Sequence, residues 1–400
     1  MKILFVTPRL PVPPNRGDRL RYFHFARVLS KKHSLSLLSF IQSEKEMTHV
    51  PDLKEYFDDV ETVLLKPWQS YRSMLLGLFS KTPLQVFYFH SKEMQRRIQE
   101  VLKRDNFDVI YTFHLRMAPY AKKIRGAYRV LDLTDAVSLF LERMLRHRSV
   151  FLRPILYREY LTVKRYESLV VGKFDECWLI STVDKDAMNL GNGVSKIFLV
   201  PNGIDVDYFK PSEPRPASNS ILFVGYMGIE SVDAVSYFYK DIFPLVRKEI
   251  PSAKFYVVGA DPPGKIVKLA RDKNVIVTGF VKDLRDYYNK AAVVVVPMKF
   301  VVGVQNKVLE AMAMKLPVVT SSLGNEGIDA SPGKEIFVED EPNAFANRVV
   351  EILKNEHLRM EIGSNARSFV ERKFAWANVL DRMNEIHSKI SRNQMPPASD

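Results

Sequence analysis

The chain has 400 residues, 46% hydrophobic and 26% charged, a composition that fits two ordinary globular domains and excludes a fibrous or disordered chain. Its net charge of +13 is uneven, with 33 Lys and Arg against 21 Asp and Glu over residues 1–200 (+12) and 26 against 25 over residues 201–400 (+1). One cysteine, Cys177, excludes an internal disulfide and suits a reducing cytoplasm, no apolar run approaches the ~18 residues that span a bilayer, and no group of side chains has zinc-ligand spacing.

The chain opens on a short apolar run, residues 3–7, that ends at Pro8 and Arg9. That reads as a first strand and not as a signal peptide. The loop expected after it contains Gly17 and Asp18, and a glycine at a strand's C-terminal end lets the backbone approach a ligand. Further strands are expected at 34–40, 62–65, 109–113, 129–133, 177–181 and 197–200. His114 and Asp135 stand at two of these strand ends, where they face a sugar or serve the fold. Residues 66–104 and 143–165 interleave aromatic, aliphatic and basic side chains. Such a pattern suits a headgroup interface, or two helices with apolar faces in the core and basic faces in water.

Prolines 211, 214 and 216 mark residues 205–220 as a connector. Strands follow at 221–225, 254–259, 275–278, 293–297, 317–321 and 336–338. Near-continuous Val, Ile and Leu strands separated by helical patterns predict parallel sheets covered on both faces, one doubly wound α/β domain in each half. Gly225-Tyr226-Met227-Gly228 lacks the third glycine of a dinucleotide fingerprint, which argues against a dehydrogenase. No nucleic-acid recognition motif accompanies the basic half.

Residues 303–327 carry the most chemistry. Lys307 and Glu310 are three apart and share a helix face near the predicted helix start. Unpaired N–H groups, the helix dipole and an ammonium together suit a diphosphate. A carboxylate one turn on suits a ribose diol. A solvated Lys–Glu pair on an amphipathic helix has the same spacing.

The run Lys307-Val308-Leu309-Glu310-Ala311-Met312-Ala313, with Pro317-Val318-Val319 and Glu326-Gly327, resembles the donor-site signature of GT-B glycosyltransferases of retaining family 4. Pro201-Asn202-Gly203-Ile204-Asp205 resembles the end of that family's first domain. Gly17-Asp18-Arg19-Leu20-Arg21, Leu131-Asp132-Leu133-Thr134-Asp135 and Gly303-Val304-Gln305-Asn306 extend the likeness to the exopolysaccharide-associated sugar transferases of the PEP-CTERM type. Three features depart from the family: Val302 replaces the first of two glutamates eight apart, Tyr226 to Ser231 replace an arginine–lysine clasp, and Thr134-Asp135 replaces a His-Asp pair.

The resemblance implies two Rossmann-like domains facing a cleft: 1–204 on the acceptor side, a linker at 205–220, a nucleotide-sugar donor domain at 221–370, a helix at 371–390 crossing back, and a flexible tail at 391–400. It implies a metal-independent, retaining hexosyltransferase with no cofactor beyond the donor, acting on a glycan or lipid-linked glycan in cell-surface polysaccharide synthesis. Lys307, Asp135 and His114 are the implied catalytic set. Gly225, Gly279, Phe280, Gly303, Gln305, Asn306, Glu310 and Glu326 join Lys307 on the donor, and Gly17 and Asp18 form the acceptor-side loop. The single cysteine, the basic first half and its aromatic-basic stretches suit a cytoplasmic location, peripheral at the inner face of the plasma membrane, with an anionic membrane as partner and no nucleic acid. A nucleotide-sugar-binding scaffold without turnover and a GT-B epimerase are the competing readings.

Overall fold

All thirteen expected runs form strands, and every strand pairing is parallel. The computed structural model describes residues 1–14, 17–147, 149–188, 196–212, 219–379, 384 and 388. Two compact units meet in sequence between Pro201 and Asn202. In the first unit, β1 (Lys2–Thr7), β2 (Ser34–Ile41), β3 (Asp59–Leu64), β4 (Val109–Phe113), β5 (Tyr128–Thr134), β6 (Glu176–Leu179) and β7 (Ile197–Leu199) lie in the order β3-β2-β1-β4-β5-β6-β7. In the second unit, β8 (Ser220–Val224), β9 (Lys254–Val258), β10 (Val275–Gly279), β11 (Val293–Val296), β12 (Val318–Thr320) and β13 (Phe337–Val338) lie in the order β10-β9-β8-β11-β12-β13.

The central strands are buried because helices cover both faces. β11 is four consecutive valines, each with no exposed surface. Phe5 of β1 packs with Tyr111 and Phe113 of β4 at ring centroids 5.5 and 5.1 Å apart, and Tyr111 reaches Trp178 of β6 at 5.1 Å. The edge strand β3 begins at Asp59, three residues before the apolar run expected at 62. Edge strands tolerate charge on a solvated face, and here Asp59 and Glu61 both pair with Arg104.

Each sheet reverses its strand order once, between β1 and β4 in the first and between β8 and β11 in the second. Loops leaving the C-terminal ends of those pairs diverge, which opens a crevice in each unit. The segment expected as a connector is held by the second unit as far as it is described. Arg367, on helix Glu356–Phe374, donates to the carbonyls of Val206 at 3.2 Å and Phe209 at 2.9 Å, and Ile204 bridges Ala375. Residues 371–374 end that same helix. The rest of the expected crossing helix lies, beyond Val379, outside the described residues apart from 384 and 388, as does the tail at 391–400.

Candidate functional site

In the second unit, glycines follow or end three adjacent strands: Gly225 after β8, Gly259 after β9 and Gly279 closing β10. The backbones touch here. A Cβ on Gly259 would stand 1.8 Å from the Gly225 carbonyl oxygen, so no other residue fits. The Gly259 N–H donates to the Gly279 carbonyl at 3.1 Å and the Gly225 N–H to that of Val258 at 3.0 Å. Phe280, next in line, is 65% exposed and free to stack on a ligand.

Across the reversal point, the loop after β11 leads through Gly303, held at φ +69°, to helix Asn306–Ala313. Gln305 precedes the helix without capping it; its amide instead donates to the carbonyls of Val302 and Gly303, both at 3.2 Å. Asn306 accepts from Asn202 at 3.3 Å. The helix thus starts one residue before Lys307, as its spacing with Glu310 predicts. Lys307 then spans the crevice to β8: a Cβ on Gly225 would lie 3.4 Å from its ammonium nitrogen. That ammonium sits 5.1 Å from the centre of the Phe223 ring. Lys307 forms no ion pair among the described residues; burial holds its pKa below the usual, with Glu230 and then Glu310 opposing.

Glu310 is buried, and its Oε2 accepts a 2.8 Å bond from the hydroxyl of Tyr288. Burial raises its carboxyl pKa, against the Tyr288 bond and the charge of Lys307. Tyr288 has no signal in the sequence as a partner for Glu310, from which it is 22 positions removed. Glu326 follows the short helix Ser322–Asn325, whose cap Ser321 donates to the Met298 carbonyl at 2.7 Å. This ties the Glu326 segment to the loop that carries Gly303. Lys299, a further candidate for phosphate, lies instead 3.6 Å over the ring of Tyr237. Lys307 and Gly225 therefore meet at the crevice, with Glu310 one turn further along the same helix and Gly303 in the loop that leads into it.

In the first unit, the expected loop position of Gly17 and Asp18 is corrected: both belong to the first turn of helix Gly17–Leu29. An acidic residue in a first turn is favoured by the helix dipole, and Asp18 also pairs with Arg9 at 2.8 Å. Asp18 faces His114 across the β1–β4 reversal point, its Oδ2 3.9 Å from Nε2. His114 is buried, and burial followed by the charge of Arg116 pushes its pKa down to about 3. It is therefore a neutral imidazole at physiological pH, suited to hydrogen bonding and not to carrying charge. His114 and Thr134 both adopt φ +67°, an uncommon backbone for residues with side chains, and the His114 N–H donates to the Asp132 carbonyl at 2.7 Å. Strained positions of this kind persist where surrounding structure fixes them.

What fixes them is a pair no local pattern shows. Arg21 and Asp132, 111 positions apart and both without exposed side-chain surface, meet at 2.5 Å. The second carboxylate oxygen of Asp132 accepts from the Thr134 N–H at 3.0 Å, which holds the turn into Asp135. Burial, and then the charge of neighbouring Asp184, raise the Asp135 pKa well above the usual. The hydroxyls of Thr7, Thr112 and Thr134, Nε2 of His114 and Oδ1 of Asp135 are buried without a hydrogen-bond partner. All stand at or just past the C-terminal ends of β1, β4 and β5. Buried polar atoms of native proteins are normally paired, so this group has hydrogen-bonding capacity that the described residues leave open. Among the described residues no cluster has the makings of a metal site.

Residues 218–355 match the family described as Glycosyl transferases group 1. A 44.6 kDa protein in the cps region of Klebsiella pneumoniae is 22% identical over 391 residues, 93% of this chain and 96% of its own. Among solved structures, Alr3699/HepE of Anabaena in complex with UDP superposes with a TM-score of 0.68 at 16% identity, over 97% of this chain and 100% of its own. Sucrose-phosphate synthase from Thermosynechococcus elongatus superposes at 0.71 and 16% identity, over 98% and 100%. Residues 218–355 of the second unit thus resemble a group 1 glycosyltransferase domain, and the two parallel-sheet units have the GT-B fold.

Proposed function

We propose that the protein is a retaining, metal-independent hexosyltransferase of family 4, allied to the exopolysaccharide-associated subfamily, that moves a sugar from a nucleotide diphosphate sugar to a glycan or lipid-linked glycan. The observation that carries this reading is Lys307, a half-buried cation with no ion-pair partner among the described residues, set beside Gly225 at a sheet reversal point. An ammonium without an ion-pair contact, in a glycine-walled crevice at a helix start, is built for an anion. The UDP bound by the Anabaena relative supports a uridine nucleotide as that anion.

In this reading Lys307 neutralises charge on the departing diphosphate, and stabilising that developing charge lowers the barrier. Glu310, oriented by Tyr288, accepts from the ribose hydroxyls. Gly225 and Gly303 let the backbone approach the phosphates, Gly279 and Phe280 meet the base, and Gln305, Asn306 and Glu326 line the donor side. His114, as a neutral imidazole, and Asp135 hold a sugar in the first unit beside Asp18. Incubation with a panel of nucleotide sugars tests the reading: slow hydrolysis of one of them, insensitive to EDTA, is expected. No turnover with any, despite UDP binding, would leave the scaffold reading. Activity abolished by EDTA and restored by manganese would refute metal independence.

We place the protein at the inner face of the plasma membrane. No helix of the described residues is long and apolar enough to cross a membrane. The first unit exposes Trp68, Tyr71, Leu76 and Phe79 around helix Pro67–Gly77, and Val150, Phe151 and Ile155 at the start of helix Arg153–Val171. Arg158 staples the two segments, donating to the Gly77 carbonyl at 2.8 Å and that of Ser80 at 2.5 Å, while Glu159 accepts from the N–H groups of Leu84 and Gln85. An apolar face of that kind within a basic unit suits an anionic bilayer surface. Sedimentation with anionic and neutral liposomes at low and high salt checks it. Salt-sensitive binding to the anionic ones is expected; equal partitioning to both, or none, would remove the membrane claim.

A further inference from the structure

A cleft of about 1040 Å³ opens on the first unit where the segment before β5 meets the last turns of helix Arg153–Val171 and the turn into β6. It lies at the N-terminal end of β5, the opposite end of that strand from Thr134 and Asp135. Its wall holds five cations, Lys122, Lys123, Arg125, Arg129 and Lys173, against a single carboxylate, Asp175. That carboxylate is spent: it accepts from the Arg129 main-chain N–H at 2.9 Å and from its guanidinium at 3.1 Å through both oxygens. Arg129 in turn donates to the Lys122 carbonyl at 3.1 Å, which fixes the segment carrying the other cations.

Lys122, Lys123, Arg125 and Lys173 have no ion-pair partner among the described residues. Burial and then the charges of Lys123 and Lys173 hold the Lys122 pKa below the usual, so these ammonium groups stand close and repel. The hydroxyl of Tyr166, in the same wall, is buried with no hydrogen-bond partner. Gly126, at φ +83° with nothing within 4 Å of a notional Cβ, keeps the lip of the cleft open. Four cations without an ion pair, one of them, Lys122, 6.0 Å over the Tyr166 ring, and an orphaned donor around one concavity match a ligand that brings several closely spaced oxyanions.

We propose that this cleft is a second anion site, separate from the nucleotide crevice, that binds phosphate groups carrying two or more negative charges. The lysines supply charge, Tyr166 donates one directed hydrogen bond, and the Arg129–Asp175 pair is the rigid floor. The phosphate is either free in solution or borne on a lipid or lipid-linked glycan, and the two sources present the same chemistry to the cleft.

The probes are inorganic tripolyphosphate, followed by calorimetry at fixed ionic strength, and vesicles of phosphatidic acid in phosphatidylcholine, followed by sedimentation. Both are applied to the full chain in a Lys307→Ala background, so that the nucleotide crevice does not contribute. Lys122→Ala with Lys173→Ala is expected to weaken binding about tenfold or more. Tyr166→Phe, which removes one hydroxyl and no charge, is expected to weaken it several-fold. Lys31→Ala with Lys32→Ala, an equal loss of charge elsewhere on the first unit, is expected to change it less than twofold. A response to tripolyphosphate alone assigns a soluble ligand, and a response to the vesicles alone assigns a membrane-borne one. No binding of either probe, or equal losses in the two double variants, overturns the proposal.

Discussion

Replacing Lys307 by methionine separates what the residue does for folding from what it does for binding, because the two effects have opposite signs. The ammonium is half-buried, lies 5.1 Å from the Phe223 ring centre and has no ion-pair partner among the described residues. Its pKa is held below that of the unfolded chain, burial being the main cause. The folded state therefore binds the proton less well than the unfolded state, and a charged Lys307 works against folding at neutral pH. Methionine keeps the packing volume and removes the charge. An incompletely compensated buried polar group costs about 1–3 kcal/mol, and partial exposure places Lys307 at the low end. The unliganded variant should therefore be more stable by about 1 kcal/mol, a rise of roughly 2–4 °C in the melting of the second unit.

Binding moves the other way. A charge-assisted bond contributes about 1.5–3 kcal/mol, so losing it weakens UDP affinity roughly tenfold or more. With UDP at about 100 times the wild-type Kd, linkage stabilises the wild type by roughly 2.7 kcal/mol. A tenfold weaker variant at the same concentration gains only about 1.4 kcal/mol, so the UDP-induced shift falls to about half. Scanning calorimetry with and without UDP reads both quantities, and the transition that responds to UDP identifies the second unit. A variant that melts lower without ligand, or whose UDP shift is undiminished, refutes the reasoning.

Glu310→Gln keeps an acceptor for Tyr288 and removes the charge; UDP should bind several-fold more weakly, and the preference for UDP over 2′-deoxy-UDP should shrink in calorimetric titration. Arg21→Met leaves Asp132 buried and unpaired and should cost about 3–5 kcal/mol in urea unfolding of the first unit, most of it recovered by adding Asp132→Leu. His114, with a folded-state pKa of about 3, takes up a proton on unfolding as pH falls below about 6.5. Stability should thus drop between those limits by one proton's worth of slope, and His114→Phe should flatten the profile by that amount in denaturation at stepped pH.

The sheets were legible in the sequence because parallel strands covered on both faces must be apolar along their whole length, and runs such as the four valines of β11 admit few other readings. The edge strand β3 was read three residues short for the same reason: Asp59 and Glu61 are tolerated only where one side meets solvent and Arg104. Within the site, legibility followed sequence distance. Lys307 and Glu310 declare themselves by sharing a turn, and the structure adds that the turn begins at Asn306 and aims Lys307 at Gly225. Tyr288 behind Glu310 and Arg21 behind Asp132 leave no trace, since side chains brought together from separate elements obey no fixed spacing.

The same limit explains Gly17 and Asp18. A glycine after a strand suggests a loop, yet Asp18 is a favourable first-turn residue that also finds Arg9, and together these outweigh the glycine's cost and start the helix at Gly17 itself. The consequence reaches the chemistry. With Asp18 fixed on a helix and His114 held neutral on a strained turn, the 3.9 Å between them is an arrangement of rigid elements and not of mobile loops. Groups fixed in advance lose little freedom when a substrate arrives. If the proposed transferase reading holds, the first unit offers its hydroxyls, imidazole and carboxyl to the sugar as a preformed surface, and selectivity there should follow the pattern of sugar hydroxyls more than the sugar's charge.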